Sequence, residues 1–225
     1  MNYNTKPTFR NPIYQKEYNL LHAGFSYAET ARITGTPITS LMQRNRKVYK
    51  INLRRAFKRK LKREGIPDRL SITDTFGFWF SGFFDGEGCF YLLTRKGKKG
   101  YIEHRIGIAI VLRADDILLL QQIRETLEVG VLYQNKKQGN ANPSATYRCE
   151  KVADLAEVFI PLFDKYPLRS RKRQEYPFWR RAVLFKYTNT LGGRCAGLPI
   201  SEKQNTFFEK CQQQIHNIRA YPTNY

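Results

Sequence analysis

Two patterns of hydrophobic and polar positions divide this chain near residue 70. Before it, apolar residues recur at the three- and four-residue spacing of short amphipathic helices. After it, helical spacing alternates with the every-second-residue spacing of strands. Residues 11–50 predict three short helices, and residues 71–225 predict the order helix, two strands, helix, two strands, helices. That order is typical of an α+β fold with helices on one face of an antiparallel sheet.

The N-terminal helices begin at capping residues. Asn11 precedes Pro12 at the start of the first helix, and the spacing Ser26-x-x-Glu29 opens the second. Thr36 is the expected N-cap of the third. We expect the apolar residues of the third helix to pack inward, namely Ile38, Leu41, Met42 and Val48.

The third helix carries a polar and basic outer face. Its candidate DNA-binding residues are Thr39, Ser40, Gln43 and Arg44. A helix, a short glycine turn and a helix with such a face resemble a helix-turn-helix, so residues 1–50 are interpreted as a helix-turn-helix-like DNA-binding domain. A small three-helix packing unit with a solvated basic face is the alternative.

Residues 44–65 are very basic, since eleven of the twenty-two are Lys or Arg. We interpret residues 51–70 as a basic linker, partly helical, that follows nucleic-acid phosphates. A solvated tether is the alternative, and the two interpretations are compatible.

The second pattern begins with a strongly apolar helix. Ser71-x-x-Asp74 predicts its cap, and six aromatic residues lie between Phe76 and Phe84. We expect a helix that is apolar on nearly every side to be enclosed on all sides. The segments 89–96 and 101–113 predict a hairpin joined by the GKKG turn at 97–100. In the second strand the even-numbered residues are apolar, and the opposite face is polar with small residues, so this open face can lie on DNA.

The charge of the chain narrows the choice of partners. Its 225 residues carry a net charge of +20, of which +12 lies in residues 1–70. Such an excess of cations favours a polyanion, above all nucleic acid. No run of eighteen apolar residues exists, which excludes a membrane-spanning helix, and the four cysteines form no CxxC pair. We therefore expect an intracellular protein, in the cytoplasm or nucleoid, or in an organelle matrix if the host is eukaryotic.

One stretch of sequence resembles a known family. Residues 80–88, Phe-Ser-Gly-Phe-Phe-Asp-Gly-Glu-Gly, look like the LAGLIDADG signature of homing endonucleases, and the resemblance extends over residues 76–190. It implies the αββαββα fold of that family, with an antiparallel saddle-like sheet. Residues 71–225 would then be the endonuclease domain with its C-terminal helices.

The resemblance also implies site residues. Glu87 aligns with the metal-binding acid of the family, which is more often Asp, and the Gly86 carbonyl aligns with a backbone ligand. Lys172 aligns with the active-site lysine, although simple phosphate contact is nearly as good an interpretation. Many members place a water-positioning glutamine after the second strand. No Gln is found there, and Arg113 is the candidate substitute, with a salt bridge to Asp115 or Asp116 as the alternative. The implied cofactor is Mg²⁺, or Mn²⁺ in its place.

A homodimer is the expected assembly, because the chain has a single motif. Gly82 and Gly86 lie one helical turn apart, and their lack of a Cβ atom lets two such helices approach closely. The candidate interface residues are Phe78, Ser81, Gly82 and Asp85, although Asp85 is also expected to cap the helix end.

These observations predict a site-specific, Mg²⁺-dependent double-strand DNA endonuclease that acts as a homodimer on a long, near-palindromic target. Further DNA contacts are expected from Arg95, Lys98, Lys99, Arg105, Tyr133, Asn135, Lys137, Arg148, Arg169 and Arg171. A DNA-binding transcription regulator that keeps the fold without cutting is the first alternative. An intron maturase that binds folded RNA is the second.

Overall fold

The computed structural model describes residues 7–96, 102–135, 142–190 and 201–220. The expected turn at 97–100 and the candidates Lys98, Lys99 and Lys137 lie outside the described residues. The chain forms two compact units. The first comprises Met1–Ile66 with Thr188–Ala196, and the second comprises Pro67–Tyr187 with Gly197–Tyr225.

Four helices make up the described core of the first unit. They are α1 (Pro12–Ala23), α2 (Tyr27–Thr34), α3 (Ile38–Arg44, continued by a π-helical turn at Asn45–Tyr49) and α4 (Leu53–Glu64). The Asn11 cap and the capping box between Ser26 and Glu29 are present as predicted. Thr36 is not the cap of α3. Pro37 holds that position without a side-chain hydrogen bond, and the Thr36 hydroxyl donates to Glu17 instead.

The inward face of α3 also differs from the prediction. Leu41 is buried, but Ile38, Met42 and Val48 are exposed, and Asn45 and Tyr49 are buried instead. The π-helical turn contributes to this difference because it adds a residue to the last turn and shifts the face that follows.

Residues 53–64 fold as a helix within the first unit. They lie in the segment 51–70 that the sequence predicts as a partly helical basic linker. Gly24 ends α1 with φ +100°, and a Cβ atom there would overlap the backbone of Ala56 in α4. Lys60 of α4 lies over the Phe25 ring at 4.0 Å. This close packing is why the division between the units falls after residue 66 rather than at 50 and 70.

The second unit has the predicted αββαββα order. Its elements are α5 (Asp74–Glu87), β1 (Gly88–Lys96), β2 (Ile102–Arg113), α6 (Ile117–Leu127), β3 (Val131–Asn135) and β4 (Ser144–Cys149). They are followed by α7 (Val152–Asp154), a π-helical turn (Leu155–Phe159), α8 (Ile160–Lys165), α9 (Lys172–Thr190) and α10 (Glu202–Arg219). The cap of α5 is Thr73, whose side chain accepts from the Phe76 amide, so the predicted Ser71 cap is wrong.

The four strands form one antiparallel sheet in the order β1-β2-β4-β3. The even-numbered residues of β2 face the helices as predicted, and Ile106, Ile108 and Ile110 are almost fully buried. The aromatic residues Phe80, Phe84, Phe90, Phe163 and Trp179 pack between sheet and helices. The core therefore lies on one side of the sheet, and the other side is left for polar residues.

Candidate functional site

The outer face of α5 is apolar and exposed. Phe78 is 62% exposed and Trp79 is 42% exposed, although full enclosure of this helix is the expectation from sequence. Gly82 and Gly86 lie on the same face, and among the described residues a Cβ atom on either would meet nothing within 4 Å. This face is therefore a flat apolar strip with room for another backbone to approach closely.

The opposite face of α5 packs against Tyr166. A Cβ atom at Gly77 would overlap the Tyr166 ring, and the Ser81 hydroxyl donates to the Tyr166 carbonyl oxygen at 2.6 Å. Ser81 is 4% exposed in the chain alone, and its place in a dimer interface stays a prediction. Positions 77, 81 and 84 fall on one face of the helix and positions 82 and 86 on the other. Phe78 lies between the two faces, and its ring centre is 5.0 Å from that of Tyr166.

Asp85 joins α5 to the segment that precedes α9. Its carboxylate accepts from the Arg169 and Ser170 amides at 2.6 and 3.2 Å, and from the Ser170 hydroxyl at 2.6 Å. Asp85 does not cap its own helix, since the Gly88 amide donates to the Phe84 carbonyl at that end. The Arg169 and Arg171 side chains, both predicted to contact DNA, are exposed on this anchored segment.

Glu87 and Lys172 both lie at the C-terminal end of α5. Glu87 is the last residue of the helix and is exposed. In the described part of the chain its carboxylate takes part in no hydrogen bond or ion pair. The Lys172 ammonium donates to the Asp85 carbonyl oxygen at 2.6 Å. The last turn of a helix also directs carbonyl groups, here including that of Gly86, away from the helix. Oxygen donors and one ammonium group are thus gathered at one helix end.

This helix end is electrostatically suited to a cation. An ionised carboxylate at the negative end of the helix dipole is unfavourable unless positive charge lies nearby. Hard divalent cations such as Mg²⁺ prefer carboxylate and carbonyl oxygens and keep several waters. The described residues contain no cluster of three or more His, Cys, Asp or Glu side chains that could hold a metal. The Asp85 carboxylate is held by the Arg169 and Ser170 amides, so Glu87 is the carboxylate that one copy of the chain offers here.

Arg113 lies at the end of β2 on the open face of the sheet. Its guanidinium forms a two-point ion pair with Asp115, with Nη2 to Oδ2 at 2.7 Å and Nε to Oδ1 at 3.2 Å. Both side chains are largely exposed. The salt bridge considered from sequence is therefore present, and it occupies two of the guanidinium donors that water positioning would use.

The predicted DNA-contacting residues of the described strands lie on the open face of the sheet. In the register, Arg105 is opposite Leu93, Arg148 is opposite Ala109, and Tyr133 is opposite Thr146. Arg95 and Asn135 also lie on this face. Five of the eight strand and hairpin candidates are therefore side by side, and the other three lie outside the described residues.

Glu150 belongs to this face as well, although the sequence analysis does not identify it. Its carboxylate accepts from Arg105 Nη2 at 2.6 and 2.7 Å and from the Tyr91 hydroxyl at 2.7 Å. Partial burial raises the pKa of Glu150, but these hydrogen bonds outweigh it and hold the pKa below its usual value. Its partners are 45 and 59 residues away in the sequence, so no local pattern could have identified it.

Only some of the candidate DNA-binding residues on α3, the predicted recognition helix of the first unit, are exposed. Thr39 and Gln43 are exposed, and Ser40 is half-buried. Arg44 is not an outward contact residue, because its guanidinium is paired with the fully buried Glu17 at 2.7 and 2.8 Å and lies over the Tyr14 ring at 4.6 Å. Arg44 therefore holds the helices together.

No helix among the described residues is both long and apolar enough to cross a membrane. The described cysteines Cys89, Cys149 and Cys211 are free thiols.

Residues 80–183 match a known family of sequences. This segment matches the sequence model described as LAGLIDADG endonuclease. The chain is 29% identical over 159 residues to the probable intron-encoded endonuclease Cox1-I1b of Schizosaccharomyces pombe, covering 70% of this chain and 37% of that protein. It is 32% identical over 111 residues to an uncharacterized protein in ND4 intron 1 of Podospora anserina, covering 47% of this chain and 23% of that protein.

The chain therefore spans less than two fifths of the length of these curated relatives. Among solved structures, it is similar to the I-LtrWI LAGLIDADG homing endonuclease bound to target DNA. That similarity has a TM-score of 0.48 and 20% sequence identity, and covers 69% of this chain and 47% of that one.

Proposed function

Residues 80–183 form a domain of the LAGLIDADG endonuclease family, and from this premise we propose that the chain is a site-specific double-strand DNA endonuclease. It hydrolyses phosphodiester bonds with Mg²⁺, or Mn²⁺ in its place. It acts as a homodimer on a long, near-palindromic target.

One observation carries the proposal, namely the arrangement at the C-terminal end of α5. The Glu87 carboxylate, which has no hydrogen bond or ion pair among the described residues, lies there with the Lys172 ammonium. Both are next to an exposed apolar strip on the same helix. The open sheet face with Arg95, Arg105 and Arg148 follows directly from this helix through β1. A nucleic acid held on that sheet face would bring its backbone to a helix end equipped with an acid and an ammonium group.

The residues at this helix end fit a divalent cation. Glu87 would hold it through its carboxylate, and Gly86 would hold it through its carbonyl oxygen. When bound, such a cation supplies Lewis-acid polarisation of the phosphate and a more acidic water. A carboxylate without an internal partner at the negative end of a helix supports this assignment, since a cation offsets the unfavourable placement.

Lys172 contributes positive charge at a fixed position. Its ammonium is tethered to the Asp85 carbonyl at 2.6 Å, and Asp85 in turn anchors the backbone ahead of α9. Charge held in place before a reaction stabilises the additional negative charge that develops on a phosphate during hydrolysis. Lys172 therefore neutralises transition-state charge or orients the attacking water.

Two copies of the chain complete the site. Cleavage of two strands needs two such helix ends, and one chain brings one. The apolar strip with Gly82 and Gly86 fits a second copy of itself across a twofold axis, because an isologous contact uses the same patch on both subunits. The Glu87 carboxylates would then approach near the axis, where a cation between them relieves their repulsion.

The first unit extends the contact with DNA. Thr39 and Gln43 are exposed on α3, and α4 presents further cations to solvent. These residues add contacts with DNA to those of the sheet face.

The test is a cleavage selection on a randomised duplex library, with wild type and Glu87→Gln in Mg²⁺ and in EDTA. We expect wild type to yield one long, twofold-related cut site in Mg²⁺ only, and Glu87→Gln to bind that site without cutting it. Glu125→Gln removes a carboxylate from an exposed position on α6 and serves as the matched control.

Retained cutting by Glu87→Gln would overturn the metal-ligand assignment. Specific binding by wild type without cutting in any condition would favour the transcription regulator. Preferential binding of intron RNA over duplex DNA would favour the maturase.

A further inference from the structure

Four side chains on the open sheet face lie around one carboxylate. Tyr91 of β1, Arg105 of β2, Tyr133 of β3 and Arg148 of β4 meet near Glu150, which follows β4 by one residue. The Glu150 carboxylate accepts hydrogen bonds from Arg105 Nη2 at 2.6 and 2.7 Å and from the Tyr91 hydroxyl at 2.7 Å. All four strands therefore contribute to a single polar cluster in the middle of the face.

Arg105 uses only part of its donor set in this cluster. Both contacts to Glu150 come from Nη2. In the described part of the chain, Nε and Nη1 of Arg105 donate to no group. The side chain is 28% exposed, so its stem is confined while these donors remain accessible. Nε and Nη1 share no edge of the guanidinium, so a two-donor contact must include Nη2. The two oxygens of one carboxylate lie on one side of Nη2, and its second hydrogen, together with Nη1 or Nε, forms the two-donor edge that remains.

Tyr91 and Gly107 fix Glu150 in turn. A Cβ atom at Gly107 would overlap both the Tyr91 hydroxyl and the Cys149 carbonyl oxygen, so Tyr91 lies in the space that glycine leaves. From there its hydroxyl donates to Glu150 Oε1, which also accepts one of the two Arg105 contacts. The carboxylate is therefore held by two residues, which a merely solvated surface acid is not.

Arg148 is held differently. Its nearest approach to Glu150 is 4.0 Å, and its guanidinium lies 5.9 Å from the Tyr91 ring centre and 5.7 Å from that of Tyr133. Stacking on aromatic rings leaves the outer edge of a guanidinium free for phosphate. Of these two arginines, Arg105 is the one held by hydrogen bonds among the described residues.

A guanine presents O6 and N7 as two acceptors in the major groove, and an arginine recognises them with two donors in a fixed geometry. Such discrimination needs the guanidinium plane to be set before binding, because ordering a long side chain costs free energy. We propose that Arg105 reads a guanine at one position of each half-site, and that Glu150 is the positioning residue that sets its guanidinium. This inference rests on the proposed function, since it concerns how that enzyme chooses its target.

The experiment is a binding selection from a randomised duplex library with the full chain. The variants are wild type, Glu150→Gln, Glu150→Ala and Arg105→Lys. Glu103→Gln is the matched control, because it removes an exposed carboxylate from β2 two residues before Arg105. Thermal unfolding of each variant verifies that it is folded.

We expect wild type to enrich a guanine at one position in each half-site. Arg105→Lys keeps the charge but loses the two-donor geometry, so this preference falls roughly tenfold. Glu150→Ala reproduces that loss at the same position, and Glu150→Gln gives a smaller one. Other positions keep their preferences. Non-specific affinity rises in both Glu150 variants and in Glu103→Gln, because each removes a negative charge from the DNA-facing surface.

Four outcomes would contradict the proposal. Glu150 variants that keep the guanine preference lost by Arg105→Lys would overturn the positioning role. A uniform loss of preference at every position would assign Glu150 to folding alone. Loss of a cytosine preference that Arg105→Lys retains would mean that Glu150 reads a base itself. A wild type that enriches no sequence would overturn the proposed function together with this inference, whereas the first three outcomes leave that function intact.

Discussion

Glu17 is the residue on which the helices of the first unit converge. Its carboxylate is fully buried and accepts from the Thr36 hydroxyl at 2.7 Å, the Tyr49 hydroxyl at 2.7 Å and Arg44 at 2.7 and 2.8 Å. A buried carboxylate is tolerated only when it is paired and hydrogen-bonded, and these contacts meet that condition. Burial raises the pKa of Glu17, but the hydrogen bonds from Arg44, Thr36 and Tyr49 outweigh it, so the pKa lies below its usual value.

Replacing Glu17 should therefore unfold the first unit selectively. We expect Glu17→Gln to lower the free energy of unfolding of that unit by about 3 kcal/mol, because one partner of a buried pair is removed. Both tryptophans, Trp79 and Trp179, lie in the second unit. In urea, far-UV circular dichroism should gain an early transition while tryptophan fluorescence stays unchanged. A single transition that coincides with wild type in both signals would contradict the role of Glu17.

The stability of the first unit should depend on the titration of Glu17 in wild type, and Glu17→Gln should lose this dependence on pH. Because the folded-state pKa of Glu17 is depressed, its stabilisation is present above the ordinary value of 4.5 and is lost as pH falls through the lower folded-state pKa. In wild type, unfolding of the first unit should therefore move toward that of Glu17→Gln below about pH 4.

At the scale of elements, features that neighbouring residues determine were predicted better than features that depend on residues far apart in the sequence. The caps of α1 and α2 lie where Asn11 and Ser26 predict them, because a cap is a hydrogen bond within three residues. The open face of β2 followed from its alternation of residues.

Features set by distant partners could not be predicted in this way. Arg44 is turned inward by Glu17, 27 residues earlier, and Ser81 is turned inward by Tyr166, 85 residues later. At the candidate site, Glu87 and Lys172 could be identified because the motif carries them. Glu150 could not, because the fold alone brings its partners together.

Two glycines of α5 should respond to substitution in opposite ways. Gly82 faces open space, so Gly82→Leu keeps the fold and adds helix propensity of up to about 1 kcal/mol. The new side chain blocks close approach of a second helix, so we expect loss of both self-association and cleavage. Gly77 faces the Tyr166 ring, so Gly77→Ala should lower the unfolding temperature of the second unit.

Sedimentation velocity and thermal unfolding separate the two effects. A Gly82→Leu protein that associates and cuts as wild type does would contradict the interface on this face of α5. A Gly77→Ala protein with unchanged unfolding temperature would contradict the packing against Tyr166.

At the scale of the whole molecule, positive charge is shared between the two units. Residues 1–70 carry +12 of the total +20, so most of the electrostatic attraction for a polyanion lies outside the family domain at 80–183. Within the first unit, Arg55, Arg59 and Lys62 recur at four- and three-residue spacing on the exposed side of α4. Lysines and arginines on phosphates give affinity without sequence preference, whereas polar side chains on a recognition helix give preference. We therefore expect α4 to contribute affinity for any duplex and α3 to contribute sequence preference.

The triple variant Arg55→Gln, Arg59→Gln and Lys62→Gln tests this division against the pair Thr39→Ala and Gln43→Ala. Each phosphate contact adds about 0.9 to the slope of log affinity against log salt, so losing three lowers the slope by about 3. We expect the α4 variant to weaken binding to all duplexes equally, with its selected site unchanged. The α3 variant should keep the slope and lose preference at the outer positions of the site. Binding titrations from low to high salt, on the selected duplex and on a scrambled one, measure both effects. An α4 variant with an unchanged slope would mean that this helix faces no phosphates, and an α3 variant with an unchanged site would reduce α3 to a packing element.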